Sequence, residues 1–267
     1  MPASPVLVLA AGQRCGSTLV QRLLSSHPDV LIWGEHAGQM SPIIAAVSRM
    51  KGCADGNGTQ TRAELEADGY QSFMANLLPE SEWADEALRH FLRTLFADRA
   101  DARGKPVWGI KEVRYGLPEA AALHHLFPSA VVIHLVRDPR DILCSLDQWE
   151  RDTTWWTRQD TQWAIKDWHR VAESFLHRTP QASPPVLRLR YEDLIADPAT
   201  AIETIGSHAS LDPAKLDPGV FARKIHRSGP DGQRPRPVAR WSALPPSLRA
   251  LLDDDLRKTA AACGYEI

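Results

Sequence analysis

Residues 6–24, VLVLAAGQRCGSTLVQRLL, decide the fold of this chain. The first five are an unbroken apolar run, which is typical of a buried parallel strand. A turn with two glycines follows, and the next residues have the apolar spacing of a helix. A strand that leads through a turn into a helix gathers backbone N–H groups at the positive end of the helix dipole. The stretch therefore predicts an anion-binding turn.

The turn nearly matches the nucleoside-triphosphate loop G-x-x-x-x-G-K-[ST], and its departures are informative. Ala11 stands where that loop has its first glycine, and Ser17 stands where it has the lysine that reaches the β- and γ-phosphates. Gly16 lets the backbone approach a ligand closely, and Thr18 adds a hydroxyl donor. The cation inside the turn is Arg14. The pattern predicts a phosphate-binding turn for a ligand other than ATP or GTP.

A second apolar run, residues 130–136 (AVVIHLV), ends in a similar strand-to-helix junction. Asp138 is a favourable N-cap and Pro139 suits the first helical position, so a helix is predicted directly after the strand. Arg137 carries a planar, permanently charged guanidinium that can hold phosphate oxygens through two hydrogen bonds. An ordinary turn with a solvated cluster of arginine and aspartate is the alternative for this segment.

These two segments resemble the cofactor-binding segments of sulfotransferases that use 3′-phosphoadenosine 5′-phosphosulfate (PAPS), in the bacterial, carbohydrate and tyrosylprotein branches of that family. Residues 14–20, RCGSTLV, are similar to its 5′-phosphosulfate loop, although Cys15 stands where serine is commoner. Residues 137–145, RDPRDILCS, are similar to its 3′-phosphate segment. The resemblance implies cofactor contacts by Arg14, Cys15, Gly16, Ser17, Thr18, Arg137 and Ser145.

The resemblance also implies catalytic residues. Glu35, in the sequence WGEH, is similar to the family's catalytic glutamate, and a partly apolar pocket would have to raise its pKa for work near neutral pH. His36 is the rival base because an imidazole ordinarily titrates near neutral pH. A helix-capping role for Glu35 also stays open. Lys111 resembles a strand-end lysine that would flank the transferred group together with Arg14, and a plain surface lysine is the alternative.

Two further segments match the family less distinctively. Residues 186–194, VLRLRYEDL, resemble a family segment whose tyrosine lies near the adenine, so Tyr191 is either an adenine contact or a core residue. Residues 227–240 are rich in Pro, Gly and Arg, like a basic family segment that folds over the nucleotide. Arg236 and Arg240 are expected near its phosphates, with a solvated loop as the alternative.

Short apolar strands alternate with helical patterns along the chain, which predicts β–α–β units and a parallel sheet. Strands are expected at 6–10, 30–33, 107–111, 131–136 and 186–189, and helices at 63–78, 82–99 and 156–178. The glycine-rich residues 51–61 are expected to form a mobile loop. Together with the resemblance, this predicts an α/β, P-loop-like three-layer fold in which helices flank a central parallel sheet of about five strands. The chain of 267 residues shows no long linker or repeat, which predicts a single domain over residues 1–267.

Composition excludes several other classes of protein. A net charge of −2 argues against a nucleic-acid-binding surface. The four cysteines form no metal-binding motif, which favours reduced thiols, and the sulfuryl transfer that the resemblance implies requires no metal. The place of Cys15, beside an arginine at a helix start, suggests the hypothesis of a lowered pKa and reaction with oxidants, which cofactor binding after mild oxidation would test. The first strand begins too early for a signal peptide or anchor, and no apolar run has membrane length, so a cytoplasmic location without membrane insertion is expected.

The resemblance implies a PAPS-dependent sulfotransferase that moves a sulfuryl group in line to an acceptor hydroxyl and releases 3′-phosphoadenosine 5′-phosphate (PAP). A small molecule or modest carbohydrate is the expected acceptor, although the sequence identifies neither the acceptor nor the oligomeric state. Two alternatives remain. A P-loop nucleotide kinase is disfavoured by the missing loop lysine, and a nucleotide-binding module without catalysis would keep the same cofactor site.

Overall fold

A parallel sheet of five strands organises the part of the chain that a computed structural model describes, residues 4–178, 184–223 and 241–267. The strands are β1 (Val6–Ala10), β2 (Val30–Trp33), β3 (Val107–Glu112), β4 (Val131–Val136) and β5 (Val186–Arg190). Their order across the sheet is β2–β3–β1–β4–β5, and each neighbouring pair is parallel. Three predicted strands have the observed bounds, and β3 and β5 each extend one residue further.

Helices connect the strands and cover the sheet. They are α1 (Ser17–Ser26), α2 (Met40–Cys53), α3 (Thr59–Asp68), α4 (Ser81–Leu92), α5 (Asp98–Asp101), α6 (Leu117–Leu126), α7 (Pro139–Asp152), α8 (Arg158–Leu176), α9 (Tyr191–Ala196), α10 (Pro198–His208), α11 (Pro246–Arg249) and α12 (Asp254–Ala262). Helix α8 packs against α6, α7 and α12, whereas α1 and α10 meet through the turn Pro218–Ala222. Right-handed crossovers place these two groups on opposite faces of the sheet. The result is the predicted three-layer α/β fold.

The middle of the sheet is the core of the described structure. Every residue of β1 is buried, and α1 buries its apolar face against the strands. Burying one such aliphatic side chain contributes about 1.5–3 kcal/mol relative to leaving it exposed. In register, Leu9 lies beside Glu112 and Ala10 beside Leu135, so the carboxyl ends of the central strands share one edge. The loops after β1, β3 and β4 therefore emerge together.

The region between β2 and β3 corrects two sequence-based expectations. Residues 51–61 are not a mobile loop, because α2 continues to Cys53, the chain kinks at Gly56, and α3 begins at Thr59. The Thr59 hydroxyl donates to the backbone carbonyl of Ala54 at 3.2 Å, which helps to tie the two helices together. The helix expected at 63–78 ends at Asp68, because Gly69 follows with a left-handed φ of 61°.

Two other helix predictions agree with the structure more closely. The helix expected at 82–99 corresponds to α4 and α5, which a helical segment at Arg93–Ala97 joins. Helix α8 begins two residues later than expected, because Thr157 and Asp160 form a reciprocal capping box. Within the described ranges, no helix combines the length and apolar character needed to span a membrane.

Candidate active site

The turn between β1 and α1 has the backbone of an anion site. Gly12, Arg14 and Gly16 adopt left-handed φ values of 76°, 65° and 90°. Gly16 is the N-cap of α1, whose first turn carries no acidic residue to neutralise the helix dipole. A Cβ at Gly16 would lie 2.3 Å from Cδ2 of Tyr191, so this position requires glycine for space as well as for conformation. Alternating left-handed residues at a helix start form concave sets of N–H groups that bind anions.

Arg14 brings a partly buried positive charge to this turn. Its Nε donates to Oγ of Ser145 at 2.9 Å, and its guanidinium carbon lies 4.5 Å from the centre of the Trp149 ring. Burial, and secondarily repulsion from Arg137, lower the pKa of Arg14 to about 10. The group therefore stays protonated at neutral pH, although its charge is poorly solvated. An anion bound here would stabilise it.

Arg137 lies against the same turn, as the sequence predicts. Its Nη1 donates to the backbone carbonyl of Arg14 at 2.9 Å, and its Nη2 lies 3.5 Å from a carboxylate oxygen of Asp141. The side chain is buried, and its Nε has no hydrogen-bond partner among the described residues. Buried polar groups are nearly always paired, so this donor fits a ligand oxygen. The residues therefore fit a phosphorylated ligand.

The ring of Tyr191 packs against the guanidinium of Arg137. The ring is buried between Gly16 and the Arg137 guanidinium, whose carbon lies 4.5 Å from the ring centre. Burial raises the pKa of the Tyr191 hydroxyl. The burial of the ring agrees with the interpretation of Tyr191 as a core residue, and the adenine contact stays a prediction.

The start of α7 is held by its neighbours. Asp138 is the N-cap, as predicted, and accepts a hydrogen bond from the N–H of Arg140 at 2.8 Å. The N–H of Asp138 donates to Oε1 of Glu192 at 3.0 Å. The other oxygen of Glu192 accepts from the Tyr265 hydroxyl at 2.8 Å. Glu192 of α9 and Tyr265, which follows α12, thus fix the loop that carries Arg137.

The surroundings of Cys15 contradict the hypothesis of a reactive thiol. The thiol is fully buried and donates to the backbone carbonyl of Ala11 at 2.6 Å. Burial raises the pKa of Cys15 well above its ordinary value, and the opposing effect of Arg137 is smaller. A helix start and a nearby arginine both stabilise a thiolate and so lower a thiol pKa. The sequence shows these two features but not the burial of Cys15, which has the larger effect.

Glu35 and Lys111 meet at the ends of β2 and β3. The ammonium of Lys111 forms an ion pair with Oε1 of Glu35, and Nη1 of Arg114 lies 3.5 Å from Oε2. Lys111 is only 4% exposed, which excludes the plain surface lysine. The expected apolar pocket around Glu35 is also absent from the described structure, since the carboxylate lies between two cations. The adjacent carboxylate of Glu112 was not singled out from the sequence.

His36 turns toward the protein rather than toward solvent. Its Nε2 lies 2.6 Å from the Tyr115 hydroxyl, which also accepts a hydrogen bond from the N–H of Met40 at 3.0 Å. Its Nδ1 is buried and lies 3.7 Å from Oε2 of Glu112. These contacts leave the ring poorly placed to take a proton from an incoming ligand.

The predicted site residues fall into two clusters at one edge of the sheet. Arg14 contacts both Arg137 and Ser145, and Ser17 is buried and Thr18 partly buried in the first turn of α1. Glu35, His36 and Lys111 gather beside them, because β3 lies next to β1. Arg236 and Arg240 lie outside the described residues.

The sequence interpretation missed three residues of the site, Glu112, Arg114 and Trp149. Glu112 and Arg114 carry a signal that could have identified them, because they are charged residues at the end of an apolar strand.

Comparisons with known proteins agree with this geometry. The profile described as "Sulfotransferase family" matches residues 5–214. A curated relative, protein-tyrosine sulfotransferase 1 of Danio rerio, is 22% identical over 205 residues. That alignment covers 75% of this chain and 52% of the relative, so the chain spans about half the length of the curated relative.

Two solved structures share the fold. The sulfotransferase domain of the Synechococcus PCC 7002 olefin synthase is 18% identical with a TM-score of 0.51, covering 99% of this chain and 96% of that one. The sulfotransferase domain from the curacin biosynthetic pathway is 14% identical with a TM-score of 0.53, covering 100% of both chains. At these identities the likeness concerns the fold.

Proposed function

The chain belongs to the sulfotransferase family, and on that premise we propose that it transfers a sulfuryl group from PAPS to an acceptor hydroxyl. The observation that carries the proposal is the pair of arginines beside the start of α1, of which Arg137 is buried and Arg14 is partly buried. Arg14 loses affinity for its proton through burial and through repulsion from Arg137. Arg137 keeps a buried donor without a partner among the described residues. Such a site is stabilised by a ligand with several negative charges.

The same residues would divide the cofactor between them. The turn and the first residues of α1 would hold the 5′-phosphosulfate, since backbone N–H groups and the helix dipole favour an anion there. Arg137 and Ser145 would hold the 3′-phosphate, as the family resemblance implies. Tyr191 would act indirectly by supporting the Arg137 guanidinium.

Transfer would use both clusters. When bound, the donor supplies a sulfuryl group on a phosphate leaving group. Arg14 and Lys111 would stabilise the negative charge that develops during transfer. Glu35 would accept the proton of the acceptor hydroxyl, because its side chain is about one-third exposed and is held in place by Lys111 and Arg114. It would act through this fixed position rather than through the apolar pocket that the sequence interpretation required. His36 is the weaker candidate because Nδ1 is buried and Nε2 is bonded to Tyr115.

Calorimetric binding of PAP and ADP tests the cofactor assignment. We expect micromolar binding of PAP, weak binding of ADP, and a loss of roughly 100-fold in PAP affinity for Arg137→Ala, as for a removed hydrogen bond to a charged group. Arg140→Ala is the matched control, because Arg140 lies one turn away and pairs with Asp138. Equal affinity for PAP and ADP, unaffected by Arg137→Ala, would overturn the proposal. The kinase alternative would then be tested by measuring Mg-ATP-dependent transfer.

Turnover tests the reaction itself. PAPS would be supplied with a panel of hydroxyl acceptors that includes a phenol, N-acetyltyrosinamide, a methyl glycoside and an aliphatic alcohol. The curated relative's name concerns tyrosine in proteins, whereas the low net charge of this chain favours a small molecule or modest carbohydrate. Sulfated product from any panel member supports the enzyme. Tight PAP binding without product from any of them favours the binding module instead.

A further inference from the structure

Glu112 is a buried carboxylate at the end of β3 that the mechanism above does not use. Its side chain has no exposed surface. Oε2 accepts hydrogen bonds from the backbone N–H groups of His36 at 3.3 Å and Gly38 at 2.8 Å. Oε1 accepts from the N–H of Val113 at 2.8 Å and from Nη1 of Arg114 at 3.2 Å. One carboxylate thus organises donors from two separate segments.

The segment that Glu112 holds follows Glu35 directly and has an uncommon backbone. Ala37 and Gly38 are successive left-handed residues, with φ values of 55° and 74°. A non-glycine residue adopts this conformation only when its surroundings favour it. Successive N–H groups in such a turn form an anion-binding concavity. Here the anion is the protein's own Glu112 carboxylate.

We infer that Glu112 is a positioning residue, which fixes the Glu35 loop (residues 34–38) and so sets the Glu35 carboxylate against Lys111. Adjacent residues of β3 divide the work: Lys111 contacts the carboxylate of Glu35, and Glu112 holds the backbone just after it. The inference rests on the proposed function for the role of Glu35 in transfer. The arrangement of the loop itself does not depend on that role.

The chemistry of the four contacts explains why a carboxylate is needed. All four hydrogen-bond partners of Glu112 are donors, and an ionised carboxylate is the side chain that accepts at both ends. A glutamine of the same shape would direct its NH₂ group at two of those donors. The substitution Glu112→Gln therefore removes half of the contacts with little change in volume.

Amide hydrogen exchange tests the inference without an acceptor. In Glu112→Gln we expect the amides of His36 and Gly38 to exchange about tenfold faster, because they lose protection. The amides of α1 should be unchanged. Glu119→Gln is the matched control, since that carboxylate accepts from Gly116 and Ser41 and so joins α6 to α2 without touching the Glu35 loop. Unchanged exchange in Glu112→Gln, or equal acceleration in the control, would overturn the inference.

A double-mutant cycle tests the effect on turnover, measured with the best panel acceptor or as PAP released from PAPS in water. Glu112→Gln should lower kcat about 100-fold, as expected for a misplaced reacting group, with unchanged PAP affinity. Glu35→Gln combined with Glu112→Gln should be no slower than Glu35→Gln alone, because Glu112 acts through Glu35. Independent, multiplying losses would overturn the positioning role. Full turnover in Glu35→Gln would instead contradict the proposed base and leave the exchange result standing.

A second variant covers the case in which Glu112→Gln does not fold. Gly38→Ala places a Cβ 3.3 Å from Cδ of Arg114 at a left-handed φ of 74°. It disturbs the same concavity from the backbone side and leaves the buried carboxylate in place. We expect faster exchange at His36 and lower kcat with PAP affinity retained. Wild-type exchange and turnover in this variant would contradict the inference.

Discussion

Two groups of residues at one edge of the sheet balance their charges in different ways. The arginine side, formed by Arg14, Arg137 and Ser145 after β1 and β4, brings together the partly buried Arg14 and the buried Arg137, with the Asp141 carboxylate beside Arg137. The glutamate side, formed by Glu35, Lys111, Glu112 and Arg114 around β2 and β3, alternates carboxylates with cations. The first arrangement gains stability from an added anion, whereas the second is already neutralised from within.

The difference separates binding from chemistry. Two desolvated cations, with Asp141 balancing part of their charge, are stabilised by an added anion, which suits a site that must capture a phosphorylated ligand. A carboxylate held by two cations keeps a fixed position, which suits a group that must accept a proton from an acceptor hydroxyl at a defined position. Variants on the glutamate side should therefore change turnover, and variants on the arginine side should change affinity for PAP.

The largest effect is expected for Glu35→Gln on the glutamate side. Loss of the base should lower kcat by about 10²–10⁴-fold, because general-base catalysis contributes that much. PAP affinity, measured by calorimetry, should stay at the wild-type value because the arginine side is intact. If most turnover remains while PAP binds normally, Glu35 is not the base, and His36→Gln becomes the next variant to measure.

Lys111→Met should have the next largest effect. The methionine keeps much of the volume of the buried side chain but removes the charge beside Glu35. We expect kcat to fall about 100-fold, as when one stabilising donor is removed from a reaction site. Lys166→Met, at an exposed position of α8, is the matched control and should leave kcat unchanged. A loss of no more than a few-fold in Lys111→Met would remove this residue from the mechanism.

Much of the arginine side is predictable because its signals are local in the sequence. An apolar strand, a glycine turn and a helix start follow one another within residues 6–24, and Asp138 and Pro139 mark the start of α7. The carboxyl ends of neighbouring parallel strands then bring Arg14 and Arg137 to one edge. Strand pattern and capping chemistry suffice for that placement.

The glutamate side depends on contacts that the sequence does not reveal. Glu35 and Lys111 are 76 positions apart and meet because β2 pairs with β3. The role of Glu112 depends on the left-handed turn at Ala37, for which alanine gives no signal. Residues 51–61 show the same limit, because a glycine-rich segment reads as a loop although side-chain hydrogen bonds hold it as a helix junction.

On the arginine side, substitutions of Tyr191 are expected to change PAP affinity by a smaller factor. If the ring supports Arg137, Tyr191→Phe should bind PAP within about twofold of wild type, because the aromatic face remains. Tyr191→Leu should lose about tenfold, because the cation–π contact and the packing on Gly16 are both lost. Calorimetry of the two variants measures both values. Equal losses in Phe and Leu would assign the role to the hydroxyl and would revive a direct ligand contact.

The smallest expected effect is on Cys15, which lies in the phosphate turn without a reactive thiolate. Burial raises its pKa, so the thiolate that reacts with oxidants and alkylating agents is scarcely populated. Cys53 is exposed and is the internal control, whereas Cys144 and Cys263 are buried. Iodoacetamide under native conditions should therefore modify Cys53 first and leave PAP affinity unchanged. Rapid modification of Cys15, located by mass spectrometry and accompanied by loss of PAP binding, would show that the turn opens far enough to admit reagent. The arginine side would then be a mobile site rather than the preformed one that its buried contacts indicate.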